Sequence, residues 1–202
     1  MTSRKTTVAG KTACAVAAML AGGGFALSQF SAQAQSGERL TAADLDAQNR
    51  LRFPTNAERW IGVGSAIGSE YSEEPFDPAS PGFIGVVQME PTAYDYFMEN
   101  GEYADGTMFL LSFYQPQEKP EPELPGFVQG ELAQQEIHLI DSQRFAEEGR
   151  AFYLFTPDST EAVEPLGLGS PCFTCHIEHG DFDATFIQFY PRLREHIADL
   201  AN

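Results

Sequence analysis

The chain has little cysteine, little lysine and a single tryptophan. Its 202 residues hold three cysteines, Cys14, Cys172 and Cys175, too few to staple a disulfide-built scaffold. Two of the three lysines, Lys5 and Lys11, stand near the N-terminus, so Lys119 is the only one in the rest of the chain. Positive charge is scarce altogether: 12 Lys+Arg stand against 29 Asp+Glu, a formal net charge of -17. So acidic a surface repels phosphate backbones and anionic lipid, which argues against nucleic-acid binding and electrostatic attachment to membranes. Long apolar runs are also missing. The stretch from Thr12 to Leu27 is broken by Gly22, Gly23 and Gly24 and falls short of the ~20 strongly apolar residues of a spanning helix. No internal repeat is visible, and no methionine follows residue 176.

What is present begins with an export pattern. Arg4, Lys5 and Lys11 form a basic start without acidic residues, an Ala-, Leu- and Gly-rich stretch follows, and Ala32-Gln33-Ala34 supplies a small-x-small cleavage site. Residues 1–34 are therefore expected to be a signal peptide, with no membrane segment left once it is removed. All 29 acidic residues lie beyond it, with nine basic ones. That surplus suits steering of a basic redox partner, and equally a solvated surface in salty surroundings.

Residues 35–52 read as a leader with a short helix, Ala42 to Arg50, capped by Thr41. Residues 53–202 read as one domain. Phe83 to Met89, Thr107 to Tyr114, Phe127 to Leu139 and Ala151 to Phe155 are apolar, aromatic and β-branched runs bounded by Gly, Pro and Asp, the mark of strands. Between the first two, Tyr94, Phe97 and Met98 fall at helical spacing after Pro91, and Gly101 follows as a stop. Ser69 to Gly82 and the Pro-rich, acidic stretch from Gln115 to Gly126 read as connections. Pro191 fits the first position of a last helix. The expected fold is α+β: an antiparallel β-sheet packed with helices, ending in a helical segment.

That segment carries Cys172-Phe173-Thr174-Cys175-His176, the C-x-x-C-H attachment signature of a c-type haem. The thiols can each add across a haem vinyl group. Their spacing, about one helical turn, brings both to one edge of the macrocycle, and the histidine that follows reaches the iron on the same face. A redox dithiol needs an early strand-to-helix context, and a structural zinc site needs about four ligands where only His138, His179 and His196 remain as further imidazoles. The expected cofactor is one covalently attached haem c per chain, held by Cys172, Cys175 and His176, with His176 on the metal and attachment after export to a periplasm. The motif's C-terminal place would suit a four-helix cytochrome c′, but the strand runs and 13 prolines oppose a bundle.

Several separate blocks in order resemble the cytochrome P-460 and cytochrome c′-beta family over about residues 53 to 194. They are Glu58-Arg59-Trp60 with Val63-Gly64, Pro91 to Tyr94 with Gly101-Glu102-Tyr103 and Asp105-Gly106-Thr107, Asp141 to Phe145, Ala151 to Phe155, and Cys172 to His176 with Asp183, Phe186 and Phe189-Tyr190-Pro191. The resemblance implies a dimeric antiparallel-sheet haem protein. It also implies two kinds of chemistry. Cytochrome P-460 members oxidise hydroxylamine and cross-link a lysine of the strand after the Gly-Thr pair to their haem. Cytochrome c′-beta members lack the cross-link and bind nitric oxide and carbon monoxide. Here that strand has Leu111 in the lysine's place, and Lys119 lies eight residues on.

Strand alternation puts Phe109, Leu111 and Phe113 on one face. If that face meets the iron, the distal pocket is apolar, offers no sixth ligand and gives bound dioxygen no hydrogen bond. If not, the three are ordinary sheet core. His138, His179 and His196 read as core or surface histidines, and Met89, Met98 and Met108 as core. Three functions stay open: a periplasmic binder of small diatomic ligands, an electron-transfer cytochrome, and an enzyme acting on hydroxylamine or a related nitrogen species.

Overall fold

The computed structural model describes residues 39–68, 76–120 and 125–200. The expected signal peptide and parts of the two expected connections lie outside them. Compactness divides the chain at Gln35, and the second unit, Ser36–Asn202, holds every described residue.

Five strands form one antiparallel sheet in chain order: β1 (Ile61–Ile67), β2 (Ile84–Met89), β3 (Thr107–Glu118), β4 (Phe127–Ile140) and β5 (Arg150–Phe155). Helix α1 (Pro91–Asn100) interrupts this meander between β2 and β3. Its limits follow from the residues at its ends. Pro91 needs no amide partner in the first turn, and the Glu90 carboxylate accepts from Ala93 N at 2.9 Å. Gly101 closes the helix at φ 72°, where its amide donates to Phe97 O at 2.8 Å. Two further helices follow the sheet, α2 (Pro171–His179) and α3 (Pro191–Leu200). The expected α+β architecture is the one found. No helix among the described residues is long and apolar enough to cross a membrane.

Three local expectations give way. Residues 42–50 form no helix. The Asp46 carboxylate instead accepts from Gln48 N at 2.9 Å and Arg50 N at 3.0 Å, a side chain outcompeting the helical backbone for its own amides. The connection expected from Gln115 begins four residues later, because β3 runs on to Glu118. Pro116, which has no amide to donate, sits where the β3–β4 register shifts. Strand β1 was not expected at all. Its Gly62 and Gly64 dilute the alternation, yet Gly64 is required by packing: a Cβ there would lie 2.7 Å from the Tyr190 ring.

Alternation divides the sheet into two faces. Met108 and Leu110 of β3, Ile137 and Leu139 of β4, and Tyr153 and Phe155 of β5 turn to one face, where Leu51, Ala57 and Trp60 cover them. The segment before β1 is tied down there. Leu51 and Val163 exchange backbone hydrogen bonds at 2.9 Å, and Tyr153 Oη donates to Asn49 O at 2.8 Å. Arg39 reaches the buried Asp141 carboxylate at 2.8 Å. The other face carries α1 and α3 at one end, through Met89, Phe97, Phe109, Tyr190 and Leu193. Beside them it lies open.

Candidate haem site

Helix α2 is placed by its sequence. Pro171 starts it, Phe173 turns inward to meet Phe152 edge-on at 4.9 Å, and Cys172, Cys175 and His176 follow one another at i, i+3 and i+4. One face of a short helix thus presents two thiols and an imidazole together. Opposite them a cleft opens onto the sheet. Val87, Phe109, Leu111, Glu136, His138 and Phe152 form its floor, and Thr185, Phe186 and Tyr190 close its side. Its empty space is about 610 Å³ when the open solvent at its mouth is counted in.

His176 is fixed by its surroundings. Its Nδ1 lies 2.7 Å from Ala184 O. A carbonyl only accepts, so Nδ1 carries the proton and Nε2 keeps the lone pair a metal needs. Three rings cage the imidazole: Phe152 and Phe186 at 4.6 Å and His138, edge-on, at 4.9 Å. Burial holds its pKa below the ordinary histidine value, and Arg150 adds to the shift while the Ala184 carbonyl opposes it. The ring is neutral at pH 7. Burial pushes both thiols up, with Glu136 adding at Cys172 and Glu178 at Cys175. Reactive redox dithiols need the opposite shift, so the environment disfavours that reading.

The Ala184 carbonyl comes from a tight turn. Thr185 N donates to Phe182 O at 2.9 Å, and the two central residues, Asp183 and Ala184, have φ of 44° and 50°. Positive φ at both positions is the pattern of a type I′ turn, normally filled by Asn and Gly. Each L-residue held there costs on the order of 1–2 kcal/mol, so surrounding contacts must hold the turn.

Of the residues singled out from sequence, the structure brings Cys172, Cys175, His176, Phe109 and Leu111 to the cleft. Phe113 does not line it; one row further along β3, its ring meets Phe83 at 5.9 Å. The wall is also not wholly apolar, as strand β3 alone implied. Glu136 pairs with Leu111 and His138 with Phe109 across the β3–β4 ladder, so a carboxylate and an imidazole share that face. His138 is buried in the core, stacked on Phe152 at 4.4 Å. Burial, with help from His176 and Arg150, keeps it neutral by lowering its pKa well below the usual value. Sequence reasoning also missed Val87, Phe152, Phe186 and Tyr190. Period-two alternation on β4 and β5 held the signal for three of the missed groups, Glu136, His138 and Phe152, but only the register says which parity faces the cleft.

The remaining candidates lie elsewhere. Met89 and Met108 are fully buried core, and His179 is exposed. Lys119 sits beyond the end of β3, its amide bonded to Gly126 O. Eight residues of extended chain put it roughly 26 Å along the strand from Leu111.

Two free thiols and a lone-pair nitrogen on one helical face, over an aromatic-walled cleft that opens to solvent, fit a covalently held haem. The molecule thus falls in the class of antiparallel-sheet haem proteins. Residues 58–187, well over half of the chain, match the family model described as cytochrome P460, and the chain belongs to that family. Its members bind haem covalently. Among curated proteins none matches the chain.

Proposed function

We propose that the chain is a periplasmic c-type haem protein that binds small neutral diatomic ligands, nitric oxide or carbon monoxide. One haem per chain would be held by thioethers to Cys172 and Cys175, with His176 on the iron. The haem supplies the ligand-binding iron; the chain's own residues supply its surroundings. Cys172 and Cys175 fix the macrocycle's edge against α2. His176, locked by Ala184, offers one nitrogen. Val87, Phe109, Leu111 and Tyr190 present side chains that exclude water and carry no lone pair fit for iron, save the Tyr190 hydroxyl. The carrying observation is Leu111 in the cleft wall, with Lys119 at the far end of the hairpin. Optical and resonance Raman spectra of ferric and ferrous protein, with and without nitric oxide, test the reading. A five-coordinate resting iron that binds both gases is expected; a low-spin, six-coordinate iron insensitive to nitric oxide overturns it in favour of an electron carrier. Export to the periplasm, a homodimeric assembly and a basic redox partner belong to the same proposal, supported by the Ala32-Gln33-Ala34 pattern, the family and the acidic surface respectively.

One observation favours a second reading. Glu136 places a carboxylate in the cleft beside Leu111, a group able to accept a proton from a small nitrogen substrate such as hydroxylamine. Turnover of hydroxylamine by the haem-loaded protein, abolished by Glu136→Gln, would establish it; no turnover leaves the gas-binding reading.

A further inference from the structure

Arg150 is the one buried arginine among the described residues. It opens β5, yet its guanidinium reaches across to the turn behind the haem motif. Nη1 donates to Asp183 O at 2.6 Å and Nη2 to Asp183 Oδ1 at 2.6 Å, while Nε donates to Glu148 O at 3.1 Å. The next carbonyl along, that of Ala184, receives His176 Nδ1–H. Two further contacts bear on the same turn. Thr185 Oγ1 donates to Phe182 O at 2.7 Å and lies 3.1 Å from Tyr103 Oη. Gly180 leaves room beneath: a Cβ there would lie 2.6 Å from the Ala184 carbonyl carbon. A turn that two L-residues resist is thus gripped from the sheet and packed onto the helix that carries the ligand.

We propose that Arg150 is a positioning residue for the axial ligand: its two-pronged grip on Asp183 holds the strained turn so that the Ala184 carbonyl stays on His176 Nδ1–H, which sets the donor strength of His176 toward iron. The inference rests on His176 being the iron ligand. A carbonyl on the outer nitrogen orients the ring and raises its basicity. A more basic ligand favours ferric iron, so losing the grip weakens the iron–histidine bond and raises the reduction potential.

Resonance Raman spectra of the ferrous haem-loaded protein and a redox titration read both quantities. Arg150→Leu is expected to move the iron–histidine stretch to lower frequency and the potential upward. Arg150→Lys keeps the charge but lacks the fork, so it should shift both in the same directions. Asp183→Ala removes one prong from a side chain 43% exposed and should give a smaller shift of the same sign. If Arg150→Leu does not fold, the other two carry the test. Arg150→Lys indistinguishable from the unmutated protein would mean that charge acts rather than the grip, and folded variants with no shift would overturn the proposal outright. An unmutated protein without any iron–histidine band would instead remove His176 as ligand, and the proposal with it.

Discussion

Strands β3, β4 and β5 make two unlike faces. On one, Met108, Leu110, Ile137, Leu139, Tyr153 and Phe155 pack shut beneath Trp60 and Leu51, and each of the six is almost fully buried. On the other, their alternating neighbours Leu111, Glu136 and Phe152 stop at a cleft. The closed face is a hydrophobic core whose few polar atoms are hydrogen-bonded: the Tyr153 hydroxyl donates to Asn49 O, the Trp60 ring nitrogen to Asn56 Oδ1 and, toward one end, Gln135 Nε2 to Ser112 Oγ. The open face mixes rings, a carboxylate and a buried imidazole. Such a mixture stabilises a fold less than aliphatic packing does, because buried polar groups must find partners. It also leaves room for a ligand. Stability and chemistry are thus separated by the parity of a residue along its strand, and substitutions one position apart should have different effects.

The largest expected effect is on the closed face. Phe155→Ala removes a ring that is 1% exposed and meets Phe53 at 5.1 Å, so it should cost about 3–5 kcal/mol in urea unfolding. The haem spectrum of the folded fraction should stay the same; a changed spectrum would break the separation of the faces. Phe152→Ala, three positions earlier on the open face, should cost less, about 2–3 kcal/mol, because its ring already borders the cleft. Unlike the first, it should alter the iron–histidine band by opening the cage around His176. Leu111→Ala is expected to cost at most about 2 kcal/mol and to speed carbon monoxide entry in flash photolysis, whereas Leu111→His should close the site with a second imidazole. Glu136→Gln should be the mildest, within about 0.5 kcal/mol, with its effect confined to chemistry in the cleft. A large stability loss there would mean that the carboxylate belongs to the fold rather than to the site.

The sequence made some of this plain and concealed the rest for physical reasons. Strands β2 and β5 were legible because their runs are largely apolar, β4 mainly because its end alternates at Ile137 and Leu139, and α1 because Pro91 and Gly101 mark its ends. Strand β1 was hidden because its close contact with Tyr190 demands glycine, which erases the pattern a strand leaves. The stretch at 42–50 was misread because its spacing is helical while Asp46 captures the local amides. At the site, Cys172, Cys175 and His176 were legible since one helix turn brings them together without help from the rest of the fold. Glu136 and His138 depend on a register between two strands. The partner of His176 is a backbone carbonyl, a group that every residue carries and that no sequence pattern can distinguish.

The tie between Arg39 and Asp141 has a consequence for the order of folding. In the sheet each strand pairs with its neighbour in sequence, so pairing proceeds by closing short loops. The segment before β1 attaches differently: Arg39 and Asp141 are 102 residues apart, and Tyr153 and Asn49 are 104 apart. Closing loops of that length costs roughly 2 kcal/mol more chain entropy than closing a hairpin, and its return comes only when the sheet already presents Asp141 and Tyr153. The segment therefore docks last, onto a finished sheet. Arg39→Ala should then speed unfolding in stopped-flow measurements and leave the folding rate as it was, and a slowed folding rate would show the segment to be part of the nucleus instead.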